Sequence, residues 1–239
     1  EKLTRNYGNL TAVNHLDLKI KPGIVYGFLG PNGCGKTTTL RMLCGALMPT
    51  DGNIKIFGEN ATPFSGSMRS SIGYMSQRFS LYNELSCYEN LKFYAQIYAL
   101  DSEVRNNRIE ELIELTQLSD FRDELAGALS GGWRQRLALA AAIIHSPRIL
   151  FLDEPTSGVD PVSGRLFWEI VYTLVSEGVT VVMSTHSMNE AEHCDELAFL
   201  FKGRVIREGT PADLRANFPG NMIAISSKNP IELLHEINK

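Results

Sequence analysis

Residues 30–37 read GPNGCGKT, which fits the glycine-rich pattern G-x-x-x-x-G-K-[ST] of a phosphate-binding loop. Glycines let the backbone curl around an anion with its amide hydrogens pointing inward, because no Cβ atom stands in the way. Lys36 brings positive charge to the outer phosphates, and the Thr37 hydroxyl is placed to ligate Mg²⁺. The residues predicted to contact a nucleotide here are Gly30, Pro31, Asn32, Gly33, Cys34, Gly35, Lys36, Thr37 and Thr38.

The segments on both sides of this loop supply the strand–loop–helix context that phosphate binding requires. Residues 24–30, IVYGFLG, read as a β-strand because they are rich in β-branched and aromatic side chains. Residues 37–47, TTTLRMLCGAL, repeat apolar side chains at helical spacing, so the loop begins a helix whose positive end faces the anion. A glycine-rich turn that merely precedes a lysine is the plain alternative, and these flanks disfavour it.

The composition and charge of the chain exclude several other classes of protein. Its 239 residues are 44% hydrophobic, which is enough to bury a substantial core as one large domain or a domain with a lobe. The net charge of −4, with no block of Lys or Arg, argues against a nucleic-acid partner. The longest apolar run, Leu137 to Ile144, falls far short of the ~20 residues that cross a bilayer.

The N-terminal sequence and the spacing of the cysteines indicate the cellular compartment of the protein. No basic-then-apolar signal opens the chain, which favours a cytosolic protein, and a first residue other than Met suggests a fragment or a processed chain. The cysteines are scattered and form no C-x-x-C pair, so neither a metal site nor a disulfide framework is expected. They are Cys34, Cys44, Cys87 and Cys194.

The rest of the sequence alternates strands and helices, as an α/β protein does. Residues 3–27 alternate apolar and polar positions, which predicts antiparallel strands that lead to the phosphate loop. NIKIFG (53–58) and SIGYMSQ (71–77) predict short strands, and residues 86–117 predict amphipathic helices. Two later segments, RILFLDEP and GVTVVMSTH, have the continuous apolar pattern of parallel strands buried on both faces.

Four polar side chains come at or just past the ends of predicted strands, where one cleft can collect them. Asp153 is suited to hold the Mg²⁺ shell, often through water. Glu154 is suited to orient or deprotonate an attacking water, and His186 to bond the γ-phosphate. The Gln77 amide can reach both Mg²⁺ and the water. The plain alternatives are that Asp153 caps a turn and that Glu154 only supports another carboxylate. His186 would then be a structural histidine and Gln77 an ordinary loop residue.

A second anion-binding signal lies far from the first, at Leu129 to Gly132, which reads LSGG. Ser130, Gly131 and Gly132 open the helix WRQRLALAAAII, whose first turn presents unpaired amides. One chain with one nucleotide has no obvious use for it, but two chains paired head to tail would each cap the other's nucleotide. The alternative is a core helix with Ser130 as its N-cap and its apolar side chains buried.

Together these motifs resemble the nucleotide-binding subunits of ABC transporters over roughly residues 1–215. The resemblance implies that Glu154 is the catalytic glutamate and that Lys36, Gln77 and His186 assist it, with Thr37, Gln77 and Asp153 at the metal. The motifs correspond as follows: Gly30 to Thr37 to the Walker A loop, Ile149 to Asp153 to the Walker B strand, Gln77 to the Q-loop, Leu129 to Gly132 to the signature, Asp160 to the D-loop, His186 to the switch histidine and Tyr7 to the aromatic that stacks on adenine.

One departure from the family is Trp133, which stands where the family usually has Gln after LSGG. Because the signature backbone and Ser130 make the phosphate contacts, the resemblance implies that activity survives this change. The stretch at residues 79–100, FSLYNELSCYENLKFYAQIYAL, is similar to that of ABC-2-type exporters, the relatives of drug and polysaccharide export ATPases. Export is therefore expected rather than import.

The resemblance also implies an architecture. An ATP-binding P-loop NTPase (RecA-like) core is expected at residues 1–80 and 134–215, with an N-terminal antiparallel β element. An inserted α-helical subdomain at residues 81–133 would carry the signature and meet the membrane subunits. The exposed aromatics expected there are among Tyr82, Tyr88, Phe93 and Tyr94. Residues 216–239 would be a C-terminal extension, with a strand in FPGNMIAIS and a helix in IELLHEI.

The implied cofactors are ATP and Mg²⁺, and the implied partners are a second ATP-binding subunit and transmembrane permease subunits at the cytoplasmic face of the membrane. Three rivals share some of these motifs. A soluble ABC-class ATPase of the DNA-repair type would carry long coiled coils, and no heptad run is present. One of the translation type would show tandem cassettes. A regulatory module that binds ATP without hydrolysis would not need Glu154, Gln77 and His186.

Overall fold

The computed structural model describes residues 1–61, 65–78 and 80–216. Nearly all of the predicted C-terminal extension, with its predicted strand and helix, lies outside these residues. The strands are β1 (Leu3–Tyr7), β2 (Leu10–Leu16), β3 (Val25–Leu29), β4 (Lys55–Ile56), β5 (Glu59–Asn60), β6 (Ile72–Met75), β7 (Ile149–Asp153), β8 (Thr180–Thr185), β9 (Glu196–Phe201) and β10 (Arg204–Gly209). The helices are α1 (Lys36–Leu43), α2 (Gly66–Arg69), α3 (Cys87–Ile97), α4 (Ser102–Leu115), α5 (Gly131–Ile143), α6 (Pro161–Ser176), α7 (Met188–Ala191) and α8 (Pro211–Ala216).

A six-stranded sheet with the order β10-β9-β3-β8-β7-β6 forms the centre of the protein. Its strands run parallel except β10, which pairs antiparallel with β9 at one edge. Every residue of β8 and all but the first of β7 are buried, as the continuous apolar pattern of these two segments predicts, and β3 is fully buried as well. The carboxyl ends of the parallel strands therefore meet at one edge of the sheet, which is where the phosphate loop begins.

Two hydrophobic clusters cover the two faces of this sheet, and alternation along the strands divides the side chains between them. In β7, Leu150 and Leu152 join one cluster and Phe151 between them joins the other. The first cluster contains the apolar faces of α3 to α6. The second contains α1 and the antiparallel pair β1–β2, whose register sets Leu3 opposite Leu16. The expected α/β core with an N-terminal antiparallel β element is thus confirmed.

The helices α3, α4 and α5 pack together beside the sheet. Helix α3 starts with a reciprocal capping box, in which the Ser86 hydroxyl accepts from the Glu89 amide and the Glu89 carboxylate accepts from the Ser86 amide. Helix α5 continues from this group to the sheet, where a Cβ atom at Gly73 of β6 would lie 2.4 Å from the Ala142 carbonyl oxygen. The predicted boundary between residues 133 and 134 falls inside α5, so one helix joins both predicted units.

Among the described residues, no helix combines the length and the hydropathy that crossing a membrane requires.

Candidate nucleotide-binding site

The phosphate loop connects β3 to α1 at the carboxyl edge of the sheet. Its tip, Pro31 to Gly33, is exposed, and Gly33 has a φ of 78°, in the left-handed region that favours glycine. Gly35 occupies the N-cap position of α1 with a φ of 108°, and no side chain caps this helix. A Cβ atom there would lie 2.5 Å from the Ala12 carbonyl oxygen, so only glycine fits. The first amides of α1, including those of Lys36, Thr37 and the half-buried Thr38, are left for an anion.

Neighbouring segments hold the loop in place from behind. The Gly203 amide, in the turn between β9 and β10, donates to the Cys34 carbonyl oxygen at 2.9 Å. The Gly30 amide donates to the Thr185 carbonyl oxygen at 3.3 Å, and a Cβ atom at Gly30 would meet the Leu200 carbonyl oxygen at 2.3 Å. Burial raises the pKa of the Cys34 thiol, which is 4% exposed. The cysteine therefore acts as a small packing side chain.

Lys36 lies buried inside the loop. Its Nζ atom donates to the carbonyl oxygens of Gly30 at 2.9 Å and Pro31 at 3.2 Å, and it lies 3.6 Å from Glu154 Oε1. The ammonium group is thus held at the centre of the loop, where the outer phosphates of a nucleotide would replace its carbonyl contacts.

Asp153 and Thr37 form the part of the site that suits a metal ion. Thr37 Oγ1 donates to Asp153 Oδ1 at 2.9 Å. Asp153 Oδ2 is buried and has no hydrogen-bond partner among the described residues. An orphaned buried carboxylate oxygen beside a threonine hydroxyl is costly unless a cation or its bound water completes it. These oxygen ligands are of the kind that Mg²⁺ prefers, so the residues present fit the implied metal.

Glu154 is the point on which the other predicted catalytic residues converge. Gln77 Nε2 donates to Glu154 Oε2 at 3.0 Å, and His186 Nδ1 lies 3.3 Å from the same oxygen. Lys36 approaches the other carboxylate oxygen. Glu154 is 8% exposed and has a φ of 48°, an unusual conformation for a residue with a side chain. The structure therefore brings together the strand-end residues that the sequence singles out.

Of the signature residues at the start of α5, Ser130 and Gly131 are exposed whereas Leu129 and Gly132 are buried, and no hydrogen bond among the described residues joins them to the phosphate loop of the same chain. Ser130 takes the N-cap position, but its side chain makes no capping hydrogen bond. A Cβ atom at Gly131 would meet nothing within 4 Å, whereas one at Gly132 would lie 2.2 Å from Ser163 Oγ. The apolar side chains of α5 are buried, as the core-helix alternative predicts, yet Ser130 does not serve that helix as a capping side chain.

Asp160 and Tyr7 lie on two other elements. Asp160 is the N-cap of α6, where its Oδ1 atom accepts from the Ser163 amide at 3.0 Å and the Val162 amide at 3.1 Å. These hydrogen bonds, the one from Ser163 foremost, lower the pKa of the carboxyl group. Tyr7 ends β1 and is 45% exposed, with the Arg5 guanidinium 4.8 Å from its ring centroid. Tyr7 is therefore a surface ring rather than a core side chain.

Four residues that the sequence reasoning missed contribute contacts near this site. The Ser184 hydroxyl donates a hydrogen bond to Asp153 and accepts one from the Glu154 amide. Gln135 Nε2 donates to the carbonyl oxygen of Pro155, the residue after Glu154. Thr185 donates to Glu190, whose pKa is raised chiefly by burial. A signal was present for the hydroxyls, because SerThr directly precedes His186 at the end of an otherwise apolar strand.

The chain is similar to known proteins. A family model described as ABC transporter matches residues 13–157. The probable multidrug ABC transporter ATP-binding protein YbhF of Escherichia coli (strain K12) is 43% identical over 216 residues, which are 90% of this chain and 37% of YbhF. The daunorubicin/doxorubicin resistance ATP-binding protein DrrA of Streptomyces peucetius is 40% identical over 224 residues, which are 93% of this chain and 68% of DrrA. The chain thus spans well under half the length of YbhF.

Solved structures are similar over most of the chain. CbiO1 from Clostridium perfringens, described as part of an ABC transporter complex, superposes with a TM-score of 0.82 at 29% identity, covering 91% of this chain and 89% of CbiO1. An ATP-binding cassette solved as a dimer in a post-hydrolysis state with ADP and Pi superposes with a TM-score of 0.80 at 28% identity, covering 88% of this chain and 97% of that cassette. The predicted P-loop NTPase fold is confirmed.

Proposed function

The chain belongs to the ABC transporter family, and we propose that it binds ATP at residues 30–37 and hydrolyses it with Glu154 as the group that activates water. The observation that carries the proposal is the convergence of Gln77, His186 and Lys36 on the Glu154 carboxylate. A module that binds ATP without hydrolysis would have no need for three polar groups around one buried carboxylate.

Each side chain has a role that follows from its contacts. Lys36 and the amides of the loop bind the phosphates, and Thr37 with Asp153 would hold Mg²⁺, which supplies positive charge beside the phosphate oxygens when it is bound. Gln77, whose Nε2 atom donates to Glu154, would contact both Mg²⁺ and the attacking water through its amide group. Glu154 orients water and accepts its proton, since its carboxylate is buried and held in one direction.

His186 completes this group from the solvent side. Its ring lies against the Glu154 carboxylate, and its side chain is 45% exposed. It can therefore turn from Glu154 to a γ-phosphate oxygen when a nucleotide enters. Positioning and charge stabilisation by these fixed groups would supply most of the rate enhancement.

The proposed working unit is a head-to-tail pair of ATP-binding subunits. Ser130 and Gly131 are exposed, the Ser130 side chain makes no capping hydrogen bond, and a Cβ atom at Gly131 would meet no described atom within 4 Å, which supports a role on the nucleotide of a partner. Asp160 would lie at the same interface, since Gly132 packs against the start of α6. The similar cassette that was solved with ADP and Pi is a dimer, in keeping with this arrangement.

The proposed output of the cycle is export through transmembrane permease subunits at the cytoplasmic face of the membrane. Relatives are named as multidrug and drug-resistance ATP-binding proteins. The helices α3 and α4 would carry the contact with the permeases. Tyr82, in the segment before α3, is 45% exposed, and its ring packs edge-on against that of Phe93 on α3, with the ring centroids 4.6 Å apart. Tyr7 would stack on the adenine ring at the far end of the nucleotide.

The test is the rate of ATP hydrolysis by Glu154→Gln and Lys36→Ala. We expect each to lose about 10²–10³-fold or more, as removal of one oriented group does in other enzymes. Glu154→Gln should still bind ATP, because the loop is untouched. The matched control is Glu192→Gln, which removes an exposed carboxylate. Among the described residues this carboxylate forms a salt bridge only with Arg215, so the variant should keep the wild-type rate of hydrolysis. Near-normal turnover by Glu154→Gln contradicts the proposal.

Pairing is tested by light scattering of Glu154→Gln with and without ATP and Mg²⁺. A shift from monomer to dimer with ATP supports the head-to-tail unit, provided that Ser130→Ala or Gly131→Ala weakens it. A dimer that forms equally well with those substitutions contradicts the role given to the signature.

A further inference from the structure

We propose that Ser184 is a positioning residue whose single hydroxyl holds both carboxylates of the site, Asp153 and Glu154, in their working arrangement. The inference rests on the proposed function, because it assigns the two carboxylates to metal binding and water activation. Ser184 would act through these two residues, by its hydrogen bonds to the Asp153 carboxylate and the Glu154 amide, rather than on the nucleotide or the water itself.

The contact geometry makes Ser184 a shared partner. It is fully buried near the carboxyl end of β8, directly opposite Asp153 in the register of β7 and β8. Its Oγ atom donates to Asp153 Oδ1 at 2.5 Å and accepts from the Glu154 amide at 3.1 Å. The donor and acceptor capacity of this one hydroxyl is thus divided between two adjacent residues.

For Asp153, the consequence is a fixed carboxylate orientation. The Oδ1 atom accepts from two hydroxyls, Thr37 and Ser184, whereas the buried Oδ2 atom accepts from no described group. Two donors on one oxygen leave the other oxygen directed away from the strand, where a cation or its bound water can use it. Thr37 belongs to the nucleotide loop, but Ser184 belongs to the sheet, so only the serine contact is independent of the state of the loop.

For Glu154, the consequence is a stable left-handed backbone. Its φ of 48° is rare for a residue with a Cβ atom, and such conformations persist where the surroundings hold them. The Glu154 amide donates to both the hydroxyl and the carbonyl oxygen of Ser184, each at 3.1 Å. This turn directs the Glu154 side chain toward Gln77 and His186 rather than along β7.

The adjacent hydroxyl does not duplicate this role. Thr185 donates to Glu190 and accepts from the Ser187 amide at 2.9 Å, on the segment that carries His186. Removal of the Ser184 hydroxyl therefore leaves Asp153 one donor short, and no neighbouring side chain among the described residues replaces it.

The experiment compares Ser184→Ala with Thr180→Val, a control at the other end of β8. Thr180→Val also removes a buried hydroxyl, but among the described residues that hydroxyl accepts a hydrogen bond only from the Gly23 amide. Thermal unfolding is followed with a non-hydrolysable ATP analogue while Mg²⁺ is titrated. Because partners of metal ligands typically contribute 10–100-fold, Ser184→Ala should need at least about 10-fold more Mg²⁺ for half of the analogue-induced stabilisation. Its stabilisation by the analogue in EDTA should match that of the wild type.

Steady-state ATP hydrolysis gives the second readout. Ser184→Ala should lose about 10–100-fold in kcat with less than about a threefold change in the KM for ATP at saturating Mg²⁺. Thr180→Val should leave the Mg²⁺ midpoint and kcat unchanged. If Ser184→Ala does not fold, Ser184→Cys keeps a similar shape with a weak donor, and its Mg²⁺ midpoint should be raised by a smaller factor.

The outcomes separate this inference from the proposed function. A wild-type Mg²⁺ midpoint and kcat in folded Ser184→Ala or Ser184→Cys, with Glu154→Gln inactive, overturns the positioning role alone. Turnover by Glu154→Gln, or analogue stabilisation of the wild type that does not depend on Mg²⁺, overturns the proposed function and the positioning role with it. Equal shifts in Ser184→Ala and Thr180→Val indicate general destabilisation of β8 and also overturn the inference.

Discussion

Gln135 donates a hydrogen bond of 2.6 Å from its Nε2 atom to the carbonyl oxygen of Pro155. Gln135 is fully buried on α5, a little more than one turn from Gly131, and Pro155 directly follows Glu154. One hydrogen bond therefore joins the helix that begins with the signature to the turn that carries Glu154, the carboxylate that we propose to activate water. In the proposed dimer these two groups serve different nucleotides, so the bond couples the two sites through one chain.

The first prediction concerns removal of this bond with the side-chain volume kept. Gln135→Met should destabilise the protein by about 1–3 kcal/mol, because the buried Pro155 carbonyl oxygen loses its donor. It should also lower kcat with little change in ATP affinity, since Glu154 loses the support of its turn. Urea denaturation and ATPase kinetics check these effects, and Gln96→Met on the exposed side of α3 is the control. Unchanged kcat in a destabilised Gln135→Met would limit the bond to a structural role.

The second prediction uses two adjacent glycines at the start of α5. Gly132→Ala should destabilise the protein by about 1–3 kcal/mol, because the new Cβ atom would lie 2.5 Å from Ser163 Cβ. Gly131→Ala should be neutral or stabilising by up to about 1 kcal/mol, since its Cβ atom enters open space on a helix. Urea denaturation distinguishes them. The proposed dimer adds that Gly131→Ala weakens ATP-dependent pairing despite its stability, which light scattering in the Glu154→Gln background measures.

The third prediction concerns Trp133, the residue that departs from the family pattern. Its ring centroid lies 4.2 Å from that of Phe121, and the Arg136 guanidinium lies 3.6 Å from the Trp133 ring centroid. The ring therefore packs within the helical group. Trp133→Gln should cost about 1–3 kcal/mol of stability through loss of these aromatic and cation–π contacts. The ATPase rate of the folded protein should stay within a few-fold of wild type, and Trp133→Phe should recover most of the stability.

Much of the site could be predicted from the sequence because its residues follow local patterns. A parallel strand buried on both faces has a continuous apolar run, and the polar residue that ends such a run must lie at the carboxyl edge of the sheet. Asp153, Glu154, Gln77 and His186 all follow that rule, so their convergence could be anticipated without knowing the strand order. The phosphate loop has an equally local signature in its glycines.

The contacts that sequence reasoning missed depend on tertiary pairing instead. Ser184 reads as one more small residue in a strand, and its partner Asp153 lies 31 positions away, so only the register of β7 and β8 reveals the pair. Gln135 lies in a helix that is buried on nearly every side, so helical periodicity does not say what any one side chain faces. For the same reason, the sequence does not predict that the Trp133 ring packs against Phe121.

The fourth prediction is a pH dependence of stability that arises at His145, at the junction of α5 with the sheet. His145 Nε2 lies 2.9 Å from the Ile72 carbonyl oxygen, and its ring stacks on that of Tyr98, the C-cap of α3, with the ring centroids 3.6 Å apart. The carbonyl contact requires a proton on Nε2, while the buried Nδ1 atom has no partner among the described residues. A second proton would therefore be placed where nothing accepts it. Burial, with a smaller effect of the Arg108 charge, lowers the pKa of His145 from 6.5.

The sign follows from the lowered pKa. Below about pH 6.5 the unfolded chain binds a proton at His145, whereas the folded chain binds it only at lower pH, so acidification favours unfolding. Stability should be fully present above this pH and fall as the pH drops toward the folded pKa. His145→Gln can keep the donor to Ile72 without titrating, so its urea midpoint should fall less between about pH 7.5 and 5.5. His193, whose pKa is also lowered by burial, should leave part of the slope in both proteins. Equal slopes in His145→Gln and wild type would show that His145 is protonated as readily in the folded chain as in the unfolded one.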